Sequence, residues 1–283
     1  MYLIFFLPNF SSGCLIICGR IGTSYVDYSR DLASECFPEK GITLKGYRRV
    51  IIKFSGEVLK DKANKSVINF TTVYALCEEL KILHGTGLEI GVVMGGGNIF
   101  RGMSKNEKKD YDRLTGDYIG MLATIINSMA IADFLRKLEV AVEVFSALPM
   151  LNICETYYPR YAQKAMGDGK IVLLAGGTGS AFFSTDSAAA LRASELHADV
   201  IIKATKVDGV YDKDPKHHRD AAKFDKISFQ EVLLRHLQVM DSTAFSLCMD
   251  NNIPILIVDA QKDLKNIRRA VQGEIVGTTI SNF

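Results

Sequence analysis

The sequence predicts an α/β fold, with helices covering both faces of a mostly parallel sheet. Three observations predict it. Short runs of β-branched and aliphatic residues alternate with longer segments of helical spacing. The short runs are almost continuously apolar, as strands buried on both faces are, and lack the alternation of half-solvated strands. Several of them end in glycine, at the end of the strand where such sheets place their ligands.

Taken in order, residues 50–56 (VIIKFSG) form a short β-branched strand ending at Gly56. Residues 72–87 have helical spacing through Val73, Leu76, Leu80 and Leu83, and Gly85 and Gly87 stop the helix. Residues 88–97 read as a buried strand running into three glycines. A long amphipathic helix follows over 117–138, with Asp117 in its first turn and Arg136 and Lys137 in its last, as the helix dipole favours. Strands are expected over 140–147 and 170–177, a helix over 186–198 and a strand over 199–205. Helices over 229–237 and 245–252, a strand over 253–260 and a helix over 262–273 close the pattern. No internal repeat or low-complexity segment interrupts it, so one α/β domain from about 47 to 283 is the simplest account.

Residues 1–46 read differently. The apolar opening is split by Pro8 and Ser11-Ser12-Gly13, and it lacks the basic start of a signal peptide. Neither apolar piece approaches the roughly 20 residues that span a bilayer. Cys14 and Cys18 stand at helical i, i+4 spacing, but no second ligand pair follows nearby, which argues against a metal site. The expectation is an N-terminal extension, poorly ordered and outside the α/β domain.

Composition sets further bounds. A content of 48% hydrophobic and 23% charged residues describes a globular chain with a sizeable core. The formal charge of +2 argues against a nucleic-acid binder, which needs a dense basic stripe. Six cysteines without regular spacing are too few for a disulfide scaffold, so a reducing, cytoplasmic compartment is expected.

Three loops after strands are rich in glycine or hydroxyls. They are Lys53-Phe54-Ser55-Gly56, then Gly95-Gly96-Gly97-Asn98 with Arg101 and Gly102, then Gly176-Gly177-Thr178-Gly179-Ser180 leading to Ser184, Thr185 and Asp186. Glycines let a backbone approach a ligand closely, and successive N–H groups form an anion-binding concavity. A helix beginning near Asp186 adds its N-terminal dipole, and Lys53 and Arg101 supply positive charge. Any one of these loops could be an ordinary tight turn; the three together point to polyphosphate. Asp186 is equally a good helix N-cap, Asp117 an ordinary acidic first turn, and Phe182 and Phe183 ordinary core residues. The sequence has no GxxxxGK[ST], no GxGxxG after the first strand, no GxSxG and no HExxH. Their absence argues against a P-loop protein, a Rossmann dehydrogenase, an α/β-hydrolase and a zinc protease.

KFSGE (53–57), GGGNIFRG (95–102), GDYIGMLAT (116–124), GTGSAFFSTDSAAALRA (177–193) and IKATKVDGVYDKDP (202–215) occur in this order. Together they resemble the bacterial uridylate (UMP) kinases of the amino-acid kinase superfamily, from about Tyr47 to the C-terminus. The resemblance implies a three-layer αβα sandwich and transfer of the γ-phosphoryl group of ATP to UMP, giving UDP in pyrimidine nucleotide biosynthesis. It implies Mg²⁺, held mainly by the ATP phosphates, and singles out no protein side chain as its ligand. By motif, Lys53, Ser55, Gly56, Gly97 and Arg101 would contact the ATP phosphates, and Thr205, Tyr211 and Asp214 the adenosine. Gly96 would lie beside the UMP phosphate and Asp117 on the UMP ribose. Thr178, Gly179, Ser180, Ala181, Phe182, Phe183, Ser184 and Thr185 would wrap the uridine and its phosphate. Lys53, Arg101 and Asp186 would carry the chemistry, with Asp186 organising Lys53 and the metal. A cytoplasmic homohexamer, without nucleic-acid or membrane partners, is also implied.

The chain departs from that pattern in places. VLKDKANKSVI after KFSGE lacks the glycine-rich stretch associated with GTP activation, so the resemblance does not carry that regulation over. TGSAFFST stands where TGNPFFTT is common, keeping small or hydroxyl side chains, and Ile119 stands where Met is usual. A superfamily kinase acting on a carboxylate or carbamate should lack the GDxxGMLAT and FFxTD pair. A non-catalytic binding protein on this fold should lose Lys53, Arg101 or Asp186; all are present.

Overall fold

The computed structural model describes residues 46–60, 66–101, 112–215, 217–237 and 239–282. The expectations for the N-terminal extension, for Cys14 and Cys18 and for Gly102 lie outside these residues.

The chain alternates as its pattern requires. β1 (Arg49–Phe54) is followed by a 3₁₀ turn (Gly56–Leu59), α1 (Phe70–His84), β2 (Glu89–Met94) and α2 (Arg113–Lys137). Next come β3 (Val142–Ser146), β4 (Glu155–Thr156), α3 (Pro159–Gly167), β5 (Ile171–Ala175), α4 (Thr185–Leu196) and β6 (Val200–Thr205). β7 (Val210–Tyr211), β8 (Lys223–Phe224), β9 (Lys226–Ser228), α5 (Phe229–Leu234), α6 (Ser242–Asp250), β10 (Ile255–Asp259), α7 (Lys265–Val271) and β11 (Gly277–Ser281) complete it.

Nine strands form one sheet in the order β4-β3-β5-β2-β1-β6-β10-β11-β9, and β7 and β8 pair separately. The pairing is parallel except at β10–β11, where the chain returns antiparallel. β1 lies between β2 and β6, so the strand order reverses about it. In open α/β sheets such a reversal leaves a crevice beyond the carboxyl ends of the strands, which is where ligands bind.

Alternate residues of β1 feed two separate cores. Val50, Ile52 and Phe54 pack with Leu76 and Leu80 of α1, Ile131 and Leu135 of α2, and Ile267 of α7. Ile51 faces the other way, towards Met166 of α3, Ala189 and Ala193 of α4, Phe229 of α5 and Phe245 of α6. The result is three layers, helix on sheet on helix. Four of the buried residues of α4 are alanines (Ala188, Ala189, Ala190 and Ala193), which lets its backbone lie close to the sheet; a larger residue at these positions would overpack it at about 1–3 kcal/mol.

The helices expected from 245 and 262 begin at Ser242 and Lys265, and two further starts, both at the site, are corrected. The helix over 117–138 begins at Arg113, because Asp112 caps it by accepting from Leu114 N and Thr115 N. Asp117 therefore sits in the second turn. The helix expected from 186 begins at Thr185, and Ser184, not Asp186, is its cap. α2 is long and apolar enough to cross a membrane by length and composition. Half of its apolar stretch is buried in the fold, where Asn127 and Ser128 are hydrogen-bonded, as in a core helix.

Candidate active site

β1 and β6 carry the same four residues, Val-Ile-Ile-Lys, and pair in parallel with those residues in register. Lys53 and Lys203 are therefore neighbours, both on the face that α4 covers. The first turn of α4 brings Asp186 over them. Lys53 Nζ lies 2.7 Å from Asp186 Oδ1, and Lys203 Nζ lies 2.7 Å from Oδ2. The three side chains are only 12–14% exposed, which removes this cluster from the class of solvated surface pairs.

The electrostatics follow from burial and charge. Burial alone would raise the Asp186 carboxyl, but the two ammonium groups outweigh it and hold the pKa below the usual carboxylate range. Burial pushes the Lys203 ammonium below its ordinary value, and Lys53 adds to that while Asp186 opposes it. Two lysines share one carboxylate, each ammonium set against a different oxygen, so both cations are held in fixed positions under the mouth of the crevice. The Lys203 contact is a hydrogen bond. Lys53 stands, as its ion-pair partner, at the same 2.7 Å from buried Oδ1, which leaves that oxygen's second lone pair without a donor among the described residues.

The glycine loop after β2 is fixed by a pair of buried amides. Asn98 and Asn127 exchange hydrogen bonds at 2.9 and 2.7 Å, and Asn127 Nδ2 also donates to Gly95 O at 2.8 Å. Gly56 fits beneath this loop only because it has no side chain. A Cβ there would stand 2.5 Å from both Asn98 Oδ1 and Gly95 O. The loop after β5 turns through Gly176 at φ +73°, where a Cβ would also meet Ser146 Oγ at 2.8 Å. Its backbone N–H donates to Thr124 Oγ1 of α2.

Between these loops lies a cavity of about 350 Å³. Gly96, Gly97, Arg101, Asp117, Thr178 and Ser180 line it, together with Phe183, Ser184 and Thr185. A larger cavity of about 1220 Å³ lies between α1 and the β10–α7 turn, lined by Tyr74, Glu79, Gln261 and Lys262 among others. It includes none of the glycine loops and does not reach the start of α4, whereas the smaller one is lined by both glycine loops and by Ser184 and Thr185, the residues that lead directly into Asp186.

The expected residues distribute unevenly. Lys53 and Asp186 meet. Ser55 and Gly56 lead from β1 into the 3₁₀ turn. Arg101 stands apart from the cluster, 78% exposed at the cavity, with Glu57 4.0 Å away. Thr205 ends β6, Tyr211 lies in β7 with its hydroxyl donating to Asp208, and Asp214 follows in the next loop. Asp117 Oδ2 accepts from Phe182 N at 2.8 Å, while Oδ1 has no hydrogen-bond partner among the described residues. That contact steadies Phe182, which holds a left-handed φ of +73° and has the Arg113 guanidinium 4.8 Å over its ring. Gly179 also turns with positive φ, and Ala181 and Phe183 lie on the same loop.

Sequence reasoning missed Lys203, Asn127 and Asp241. The repeated VIIK was the available signal for Lys203, since equal patterns on two neighbouring strands place equal residues side by side. Asn127 and Asp241 left no such mark.

Magnesium can be tested against the donor set. No group of three or more His, Cys, Asp or Glu that could hold a metal occurs among the described residues. Asp186 is neutralised by its lysines, yet Oδ1 keeps an open acceptor position. These residues fit a metal that arrives on polyphosphate oxygens and meets the protein at Asp186.

A model of the amino acid kinase family matches residues 48–259. The crystal structure of UMP kinase from Ureaplasma parvum is 34% identical, with a TM-score of 0.79, over 83% of this chain and 99% of that one. UMP kinase from Bacillus anthracis is 36% identical, also with a TM-score of 0.79, over 83% and 96%. Uridylate kinase from Archaeoglobus fulgidus is 26% identical with a TM-score of 0.60, over 82% and 99%. Fold, cationic cluster and sequence agree: the chain belongs to the amino acid kinase family and is a phosphotransferase.

Proposed function

We propose that this protein is a UMP kinase, transferring the γ-phosphoryl group of ATP to UMP in pyrimidine nucleotide biosynthesis. The observation that carries the reading is the Lys53–Asp186–Lys203 cluster at the head of α4, beside a cavity lined by the 177–185 loop and Asp117. The two solved UMP kinases at 34% and 36% identity support the acceptor.

The second pKa of a phosphate monoester is about 6, so UMP arrives largely as a dianion and needs no general base. One of its phosphate oxygens attacks the γ-phosphorus. The bond from that phosphorus to the β–γ bridging oxygen breaks, and ADP leaves with the electron pair. The protein's task is to bring two polyanions together and to spread the charge of a loose transition state. Lys53 and Lys203 supply fixed cations for the transferring group, and Asp186 holds them apart in register. The N–H groups of Gly96 and Gly97 and the exposed Arg101 would receive the remaining phosphate charge. Asp186 would meet the Mg²⁺ that arrives with ATP, and the ion would offset phosphate charge there. Asp117 would use Oδ1 for a ribose hydroxyl. Thr205, Tyr211 and Asp214 would line the adenosine.

A cytoplasmic homohexamer is part of the proposal. Leu114, Tyr118, Ile119, Leu122 and Ile126 leave one face of α2 apolar and exposed, as a surface for a second copy would be. Light scattering that reports a monomer would contradict this part. Incubation with ATP, Mg²⁺ and UMP, followed by separation of nucleotides, tests the reaction. Equal amounts of UDP and ADP are expected; ADP without UDP overturns the assignment.

A further inference from the structure

Residues 239–241, between α5 and α6, reach the cationic cluster by two routes. Val239 O accepts a hydrogen bond from Lys203 Nζ at 2.6 Å. Two residues on, the Asp241 carboxylate caps α6, with Oδ1 accepting from Ala244 N at 3.0 Å. The same carboxylate crosses to α4. Oδ1 also accepts from Ser187 Oγ at 2.9 Å, and Oδ2 accepts from Ser184 Oγ.

The proton inventory of Ser184 makes this contact specific. Its Oγ accepts from Asp186 N at 3.0 Å and from Ser187 N at 3.1 Å. A hydroxyl has two lone pairs and one proton. With both lone pairs committed to α4, Ser184 can only donate, and residue 241 must accept. Asp241 thus joins the starts of two helices, and one of them carries Asp186.

We propose that Asp241 is a positioning residue for phosphoryl transfer, fixing Ser184 and the first turn of α4 so that Asp186 keeps Lys53 and Lys203 in register. The proposal deepens the kinase reading and rests on it. Asp241 is also one of the charges facing Lys203; the others are Asp186 of α4 and Lys53 of β1. Cys248 of α6 faces both carboxylates, and burial pushes its thiol up to about 12, so it stays neutral.

Asp241→Asn separates positioning from folding. Asn is as good a helix cap as Asp and has nearly the same volume. Its amide offers one acceptor and one donor where two acceptors are required. In the full chain with ATP, Mg²⁺ and UMP, kcat is expected to fall about 10- to 100-fold, the range of a charge-assisted hydrogen bond. KM for both substrates should stay within about threefold, because the lost interaction serves the transition state. The alkaline limb of kcat should move to lower pH, since a negative charge that favours protonated Lys203 is gone. Ser187→Ala, which removes one donor to Asp241, should give a smaller fall in kcat that is not additive with Asp241→Asn. If Asp241→Asn does not fold, Ser187→Ala is judged by the same criteria. A folded Asp241→Asn with wild-type kcat and an unmoved alkaline limb overturns the proposal, as does a loss of activity that only follows the folded fraction. A wild-type protein that turns over UMP while the variants behave as wild type defeats the positioning role alone. A wild-type protein without UMP turnover defeats both.

Discussion

Lys53 and Lys203 occupy the same register position on neighbouring parallel strands, and one carboxylate, Asp186, lies 2.7 Å from each. That relationship removes Lys203 from the class of solvated strand-end lysines and, under the proposed function, gives it a part in the chemistry. Removing one preorganised donor from a site of developing charge typically lowers kcat by about 10²–10³. Lys203→Ala is expected to show a loss of this size in steady-state assays with ATP and UMP. Lys53→Ala should lose at least as much while folding normally by circular dichroism. Near-wild-type turnover in either variant would reject its role.

Asp186→Asn is expected to be both inactive and unstable. Ser184 caps α4, so the substitution spares the cap, but it takes away the carboxylate that two buried ammonium groups share. Removing one partner of a buried ion pair costs about 3–5 kcal/mol, and denaturant titration should show a loss of that order. The double variant with Lys203→Met should recover part of it.

The titration of the cluster has a sign on each side. The Asp186 pKa is depressed on folding, first against burial and then by its two lysines. Its stabilisation is therefore complete above the unfolded carboxylate pKa and is lost as pH falls through the lower folded value. Lys203 is also depressed, by burial, so the cost of its charge is present at neutral pH and is relieved as pH rises through the folded value. Activity moves the other way, because neutral Lys203 no longer helps the phosphoryl group. A pH profile of kcat should fall below the ordinary lysine range, and Lys203→Arg should abolish that limb whatever activity it retains.

Asp117→Ala should separate binding from chemistry. It removes the acceptor that holds the left-handed Phe182 turn, a conformation that costs about 1–3 kcal/mol. The expected result is a raised KM for UMP with a smaller change in kcat, measured at saturating ATP. An unchanged KM would free Asp117 from the acceptor site.

The central strands and long helices were legible because periodicity and apolar runs depend on burial, which one sequence records. VIIKFSG and IPILIVDA became β1 and β10 within a residue or two at either end. β4, β7, β8 and β9 are two or three residues long and carry too few side chains for a period. α3 and β11 are longer, but a helix of nine residues opening at Pro159 and a strand of Gly277-Thr278-Thr279-Ile280-Ser281 lack the apolar runs that marked the others. Of the site, Lys53 and Asp186 were found through the residues around them. Asp241 could not be, because its significance lies in a hydrogen bond to Ser184, 57 residues away.

The most direct measurement is ADP release from ATP and Mg²⁺ by the purified chain, with UMP, CMP, dCMP, aspartate, glutamate, N-acetylglutamate and carbamate offered separately. Turnover with UMP well above that with every other acceptor is the predicted result. Turnover with a carboxylate or carbamate and none with UMP would contradict the account, leaving a kinase of this family with a different acceptor.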